Sequence, residues 1–380
     1  MRVLLDYRPA LRERSGVGEY THALAAALLE GHGAQPSRER AIELTLFSSS
    51  WKDRLQPGNE LAKASIVDRR VPVRVLNFAW HRLEWPPIDS FVSESVDVAH
   101  SMHPLLMPAR RAARVVTIYD LNFLTHPERT RGEIRRDYPV LARDHAHRAD
   151  RVIVISRFTA DQVERLLGVP AERISLCTPG APAWAPRAKP PGGDGYVLFV
   201  GTLEPRKNLG VLLDAYEVLA AGGKRLPPLV IAGKTTEQSG PWLERIRRPP
   251  LSHSVRYIGY VNPAKRHELY EGAKLLVQPS FEEGFGLPVL EAMTVGVPVV
   301  AANRGALPEV LGDAGPLIDA EDPAGFADAI DTIVNDPVAA ISATSKGLER
   351  ARLFSWERTA DAMIDAYKAA LRHRAERGAD

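Results

Sequence analysis

The feature that most limits the possible fold is a series of short, continuously apolar runs separated by segments with helical spacing. Such runs are typical of parallel strands in a sheet that is covered by helices on both faces. The sequence therefore predicts an α/β fold with a doubly wound parallel sheet. In the first half of the chain the predicted strands are 3–7, 43–48, 96–100, 115–119, 151–155 and 174–178.

The same alternation restarts after a segment rich in proline and glycine at residues 181–195, which we interpret as a linker. A chain of 380 residues is long enough for two domains, each with its own core. We therefore predict a first domain at 1–185, a second at 196–355 and a last helix at 356–380. The main predicted strands of the second domain are 196–201, 229–233, 256–260, 275–279 and 297–301.

Composition and charge exclude several classes of protein. The single cysteine, Cys177, rules out an internal disulfide and fits a reducing cytosol. No apolar run approaches the ~20 residues needed to span a bilayer, and the amino terminus leads directly into a strand, so no signal peptide is predicted. Residues 1–190 carry 28 Lys and Arg against 22 Asp and Glu, which favours an anionic partner for this half. Aromatic residues among the basic ones are too sparse for nucleic-acid binding.

One segment, residues 281–300, concentrates the residues with chemical potential. Glu283 and Glu291 lie eight residues apart, with Gly284 and Gly286 between them, and Pro288 suits the first position of a helix. The free N–H groups at the start of that helix favour an anion. Two carboxylates beside it would suit sugar and ribose hydroxyls. The alternative is an amphipathic helix that follows a glycine turn and carries a glutamate matched to its dipole.

The Glu-x7-Glu spacing around GFGLPVLEA resembles the signature of retaining GT-B glycosyltransferases of family 4, with Glu282 out of register. The resemblance implies two Rossmann-like domains facing each other across a cleft, with the last helix crossing back to the first domain. It also implies that Glu283 contacts the donor hexose and that Glu291 contacts the nucleotide ribose. The amides of Phe285, Gly286 and Leu287 would then hold the diphosphate.

Arg206 and Lys207 follow the predicted strand 196–201 and precede a helix whose predicted N-cap is Asn208. Two cations at a helix N-terminus lie at the unfavourable end of the dipole, at a cost of about 0.3–1 kcal/mol each. A bound anion would remove that cost, and the two side chains suit a diphosphate. The family resemblance gives them the same role, although Thr202 stands where some relatives carry an arginine.

In the first half, Gly16 and Gly18 follow the first strand, where ligands bind in doubly wound sheets. The resemblance places them beside the donor diphosphate and the acceptor; the alternative is a tight turn. Tyr119 and Asp120 match a family position that often reads His-Asp, so Tyr119 replaces a histidine that touches the donor sugar. Asp120 is our candidate for orienting or deprotonating the acceptor hydroxyl, and a turn-capping aspartate is the alternative.

The remaining candidates concern the base, metals and membranes. By resemblance, Tyr260 and Val261 lie under the nucleotide base. No Asp-x-Asp occurs, and the histidine pairs at 100 and 103 and at 145 and 147 lack metal-site partners, so we predict no metal or cofactor and place these histidines at a surface or cleft.

Two clusters, one with Trp80, Arg82 and Trp85 and one with Arg110, Arg111 and Arg114, fit either a peripheral membrane contact or a solvated face.

These observations predict a cytoplasmic, metal-independent protein, and the family resemblance implies a retaining hexosyltransferase in polysaccharide assembly. It would use a nucleotide-diphosphate sugar, with mannose as one candidate, and a glycan or lipid-linked glycan acceptor. Two alternatives stay open: a sugar-nucleotide epimerase or hydrolase of the same architecture, and a non-catalytic sugar-nucleotide-binding protein.

Overall fold

The computed structural model of the chain describes residues 1–11, 14, 16–30, 42–56, 58–127, 132–193, 195–223 and 227–377. Its contacts divide the chain into two units, Met1–Gly180 with Ser355–Asp380, and Ala181–Phe354. The first unit thus ends at Gly180 rather than at 185. The predicted linker belongs to the second unit, where the N–H of Arg187 donates to the carbonyl of Val295 at 3.0 Å.

Both units are built on parallel sheets, which confirms the predicted α/β class. The strands are β1 Arg2–Asp6, β2 Glu43–Ser49, β3 Ser65–Arg69, β4 Val98–Ser101, β5 Ala113–Ile118, β6 Arg151–Val154, β7 Ile174–Leu176, β8 Tyr196–Val200, β9 Leu229–Ala232, β10 Val255–Gly259, β11 Ala273–Gln278, β12 Val299–Ala302 and β13 Leu317–Ile318. The sequence did not predict β3, because this edge strand is largely exposed and has no continuous apolar run.

Helices alternate with the strands in both units. They are α1 Val17–Glu30, α2 Val73–Phe78, α3 Asn122–Thr125, α4 Gly132–Arg148, α5 Arg157–Gln162, α6 Leu209–Ala221, α7 Gly240–Ile246, α8 Pro263–Glu271, α9 Leu287–Val295, α10 Leu307–Leu311, α11 Pro323–Asn335, α12 Pro337–Ala351 and α13 Trp356–Arg377. Single-turn 3₁₀ segments and two π turns lie between some of them.

The first sheet has the order β3-β2-β1-β4-β5-β6-β7. The chain leaves β1 towards β2 on one side, and β4 continues on the other side. Loops that follow β1 and β4 therefore diverge and leave a crevice at their carboxyl ends. Helix α13 packs on β5 and β6, and its Tyr367 hydroxyl lies 2.8 Å from His100 Nδ1.

The second sheet has the order β10-β9-β8-β11-β12-β13. Its switch in direction lies between β8 and β11, which are neighbours in the sheet although α6, β9, α7, β10 and α8 separate them in the chain. The loop that carries Arg206 and Lys207 and the loop that carries Glu283 consequently emerge side by side. This topology is what brings the two strongest sequence motifs together.

Candidate active site

The loops after β8 and β11 are joined by hydrogen bonds. The N–H of Phe281 donates to the carbonyl of Arg206 at 2.8 Å. Asn208 Nδ2 donates to the carbonyls of Pro279 and Ala320 at 3.0 and 2.7 Å. Asn208 is the N-cap residue of α6, as predicted, but its side chain makes no capping bond, and its backbone is left-handed with φ 53°. It fixes the two loops to each other instead.

Glu283 is the centre of this junction. Its Oε1 accepts from Lys207 Nζ at 2.6 Å, from Gln278 Nε2 at 2.8 Å and from Ser280 Oγ at 2.8 Å. Its Oε2 has one longer contact, with an Arg206 guanidinium nitrogen at 3.4 Å. Since Oε1 is already surrounded by donors, Oε2 is the oxygen that can accept from a ligand hydroxyl.

The charges around Glu283 compensate one another. Burial by itself would raise the pKa of Glu283, but Lys207 and Arg206 outweigh it and hold that pKa below its ordinary value. Arg206 Nε also lies 2.7 Å from a Glu204 carboxylate oxygen. The two cations therefore already have anionic partners in the protein, which offset the cost of their position before α6 without a bound anion. Arg206, still partly exposed, remains accessible to one.

The predicted anion-binding loop has the expected geometry. Gly286 precedes α9 with φ 107°, and a Cβ there would lie 2.9 Å from Leu307 Cδ2, so only glycine fits. Within the described ranges, the N–H groups of Phe285, Gly286 and Leu287 donate to no protein acceptor. Gly296, with φ 80°, ends the helix as predicted. Three buried or half-buried donors at one helix N-terminus form a suitable site for an anion.

Helix α9 begins one residue earlier than the predicted start at Pro288. The helix begins at Leu287, so Pro288 is its second residue and Glu291 falls just beyond the first turn. Glu291 is buried; its Oε1 lies 3.1 Å from Arg266 Nη2, and its Oε2 accepts from the Tyr270 hydroxyl at 2.7 Å. Sequence reasoning missed both partners, although their four-residue spacing on α8 puts them on one helix face.

Tyr260 and Val261 follow β10 directly, at the carboxyl edge of the second sheet. The Tyr260 ring is partly exposed, and Lys234 Nζ lies 4.8 Å from its centroid. Lys234 follows β9, the neighbouring strand, which is why the two meet. A flat aromatic ring beside a cation at this edge is compatible with stacking on a base.

The site residues predicted in the first unit lie in different structural elements. Gly16 precedes α1 with φ 50°, whereas Gly18 is buried inside the first turn of α1 and does not belong to the loop. Asp120 Oδ1 accepts from the N–H of Asn122 at 3.2 Å, the turn-capping contact that was the alternative. Burial raises the pKa of the neighbouring Tyr119 hydroxyl.

A carboxylate that sequence reasoning missed lies in the crevice of the first sheet. Asp6, at the end of β1, is fully buried, and its Oδ2 lies 2.7 Å from Arg8 Nη2 and 3.3 Å from His103 Nε2. Burial opposes ionisation, but Arg8 and His103 outweigh it and lower the pKa of Asp6. The sequence feature that could have identified Asp6 is an acidic residue at the end of an otherwise apolar strand.

The placement of the other histidines corrects another expectation. His100 and His145 are buried, not at a surface, because α13 covers the first and the N–H of Leu106 donates to the second. Burial lowers the pKa of His100 to about 3 and that of His145 to about 4.

Among the residues that the structure describes, no group of three or more His, Cys, Asp or Glu side chains is arranged to hold a metal ion. No helix in the described ranges is long and apolar enough to cross a bilayer.

Two family descriptions match nearly the whole chain. "Glycosyltransferase Family 4" matches residues 14–182, and "Glycosyl transferases group 1" matches residues 182–350. An O-antigen chain mannosyltransferase B of Escherichia coli is 34% identical over 273 residues, which are 69% of this chain and 72% of that protein. The chain spans 53% to 66% of four D-inositol 3-phosphate glycosyltransferases that it also matches.

Solved structures with the same fold are more distant in sequence. The sucrose-phosphate synthase of Thermosynechococcus elongatus superposes with a TM-score of 0.76 at 18% identity, over 97% of this chain and 98% of that one. HepE of Anabaena, in complex with UDP-glucose, gives a TM-score of 0.64 at 18% identity, over 96% and 98% of the two chains.

Proposed function

Because the chain belongs to the group 1 glycosyltransferases of family 4 and has their GT-B fold, we propose that it transfers a hexose from a nucleoside-diphosphate sugar with retention at the anomeric carbon. The observation that carries this proposal is the junction at Glu283. One carboxylate oxygen there is available to sugar hydroxyls, beside two cations and three unpaired amides.

The proposed chemistry divides between these groups. The amides of Phe285, Gly286 and Leu287, with Arg206, would bind the diphosphate and stabilise its charge as the bond to the sugar breaks. Lys207 would act mainly through Glu283, because its Nζ lies 2.6 Å from Oε1.

The acceptor oxygen would bond to the anomeric carbon from the leaving-group face, and its proton would pass to a diphosphate oxygen. Glu283 would orient the ring by holding its hydroxyls. No nucleophile from the protein is needed in this scheme.

Mannose is the first candidate sugar, and a growing glycan or lipid-linked glycan is the first candidate acceptor, because the chain is similar to a mannosyltransferase of O-antigen chains. The neighbour solved with UDP-glucose supports a nucleotide sugar as donor. In the first unit, Gly16, Tyr119 and Asp120 stay candidates for acceptor contacts; Asp6, Arg8 and His103 lie in the crevice of that sheet and join them.

The decisive experiment screens nucleoside-diphosphate sugars by thermal shift and then supplies the stabilising donor with mannosyl acceptors. We expect a product whose anomeric configuration, measured from the one-bond C1–H1 coupling constant, matches that of the donor. Inversion would contradict the mechanism. Sugar release at the same rate with and without acceptor would favour the hydrolase, and binding without turnover would favour a sensor.

Glu291→Ala is expected to weaken nucleoside diphosphate binding by about ten- to a hundredfold, the effect of losing a charged hydrogen bond to ribose. Isothermal titration calorimetry measures it directly. Tyr270→Phe, which removes one of the two contacts that position Glu291, should cause a smaller loss. Glu268→Ala, an exposed carboxylate on the same α8, is the matched control and should bind normally. Unchanged affinity in Glu291→Ala would exclude the ribose contact.

Activity is expected to persist in excess EDTA, since Arg206 and the α9 amides supply the positive field that a divalent cation would otherwise provide. Initial rates before and after chelation test this. Loss of activity that Mn²⁺ or Mg²⁺ restores would contradict the proposed donor site and require Glu283 and Arg206 to be reassigned.

A further inference from the structure

The segment from α2 to Trp85 carries several large apolar side chains on its outer face. Helix α2 continues into a π turn at Ala79–Leu83, and Leu76 and Trp80 point inward with 3% and 1% exposure. Three large outer side chains are apolar too: Phe78, Leu83 and Trp85 are 64%, 63% and 63% exposed. They lie beside the exposed charged residues Arg74, Arg82 and Glu84. A helix on a protein surface normally has polar residues on its outer side.

This face is held in place by its inner residues. Trp80 Nε1 donates to the carbonyl of Pro86 at 2.9 Å, and Asn77 Oδ1 accepts from Arg8 Nη1 at 2.8 Å. The Arg8 guanidinium also lies 4.8 Å from the Trp80 ring centroid. The exposed side chains therefore project from an anchored segment.

A basic pocket adjoins the segment. It has a volume of about 190 Å³, and its lining includes Trp85, Arg110, Arg114 and Arg148. Glu84 is the acidic residue among its described lining residues, and it lies 2.7 Å from Arg148. The two clusters that the sequence showed separately, one aromatic and one basic, thus meet at one pocket.

Three arginines line this pocket against one lining carboxylate, Glu84, and Asp144 lies outside the lining, 2.9 Å from Arg148. Burial lowers the pKa of Arg114, and Arg374, Arg148 and Arg377 lower it further, against the opposite effect of Asp150. The Arg114 Nε lies 3.9 Å from Asp150, a distance at which the ion pair is weak. An anion in the pocket would compensate this repulsion, and arginine binds phosphate oxygens particularly well.

We infer that this surface of the first unit docks on a bilayer that contains anionic phospholipids. Arg110 and Arg114 bind a lipid phosphate in the pocket, while Phe78, Leu83 and Trp85 enter the interfacial region. Two properties select a bilayer over a soluble phosphate ligand. The apolar side chains would stay in water if the ligand were a free phosphate, and exposed aromatic residues flanked by arginines suit a headgroup boundary. This inference does not depend on the proposed catalytic chemistry.

Co-sedimentation with vesicles tests the inference. The full-length protein is mixed with vesicles of phosphatidylcholine alone or with about 30% phosphatidylglycerol, and the bound fraction is measured at two salt concentrations. We expect binding to the anionic vesicles only, and weaker binding at the higher salt concentration. Arg110→Gln and Arg114→Gln should each weaken it about fivefold, and Phe78→Ser and Trp85→Ser about tenfold.

Trp51→Ser is the matched control, because Trp51 is 67% exposed on the same unit but lies outside this surface. It should bind as the wild type does. Arg110 is exposed, so Arg110→Gln tests the pocket without a risk to folding, whereas Arg114 is partly buried. Circular dichroism spectra confirm that each variant is folded.

Three results would overturn the inference. The first is equal binding to both kinds of vesicle, and the second is an equal loss in Trp51→Ser and Trp85→Ser. The third is evidence for a soluble ligand. The pocket binds a soluble phosphate if Arg110→Gln weakens binding of glycerol phosphate and Phe78→Ser leaves vesicle binding unchanged. Because each readout is binding without turnover, failure here leaves the catalytic proposal untouched.

Discussion

Replacing Glu283 with glutamine is expected to lower kcat/KM by about a hundred- to a thousandfold, the range found when one preorganised electrostatic group is removed from an active site. Glutamine keeps the shape of the side chain but removes the charge that Lys207 and Arg206 face. It also replaces one of the two acceptor oxygens by an NH₂ donor. The hydroxyl groups of the donor sugar would then find a weaker hydrogen-bond acceptor at the position of Oε2.

Steady-state kinetics with the donor found in the panel measures this loss. Glu282→Gln is the control, because Glu282 and Glu283 are equally buried at 6% exposure and Glu282 is out of register with the motif. It should retain most of the wild-type activity. If the two variants lose activity equally, the effect comes from the loop as a whole and Glu283 has no special contact with the donor.

Lys207→Met is expected to reduce both stability and turnover. The variant leaves the buried Glu283 without its closest cation, which typically costs about 3–5 kcal/mol in free energy of unfolding. We expect kcat to fall by about a hundredfold or more, because the carboxylate is no longer held in its ionised, oriented state. Denaturant titration and initial rates give the two quantities.

The pH dependence of this variant follows from the direction of the Glu283 shift. Its pKa in the folded protein lies below the ordinary value of 4.5, so the ion pair stabilises the fold above about pH 4.5. That contribution is lost as the pH falls through the folded pKa. The difference in stability between wild type and Lys207→Met should therefore be largest near neutral pH and shrink in acid.

The double variant Lys207→Met, Glu283→Gln separates structure from catalysis. With both charges removed, no ion remains unpaired, so most of the stability should return. Activity should not return. A double variant that regained wild-type turnover would show that the pair only supports the fold.

The sequence predicted those parts of the site that lie close together in the chain. The order of Glu283, the glycines and α9 is local, and the helix and its unpaired amides follow the glycines as the pattern predicts. Arg206 and Lys207 were also found, because cations before a helix are unusual. That Glu283 is their direct partner was not predicted, since the contact depends on β8 and β11 being neighbours.

The contacts and residues that were not predicted from the sequence share one physical cause. Arg266 and Tyr270 hold Glu291 from another helix, and nothing near Glu291 in the sequence indicates them. His100 was assigned to a surface or cleft because its cover, Tyr367, lies 267 residues away. Asp6 pairs locally with Arg8, but its second partner, His103, follows the neighbouring strand β4, 97 residues along the chain. A side chain whose hydrogen-bond or ion-pair partner is far away in the sequence cannot be recognised from the residues next to it.

Helix α13 has a consequence for how the protein is made. The first unit combines residues 1–180 with residues after 355, and one face of strands β5 and β6 is covered by α13, which follows the whole second unit in the chain. A ribosome adds about 5–20 residues per second, so synthesis of the intervening unit takes roughly ten seconds or more. During that time the nascent amino-terminal sheet has an uncovered apolar face, which makes it a natural client of chaperones. The second unit, by contrast, is continuous and can fold as soon as it has emerged.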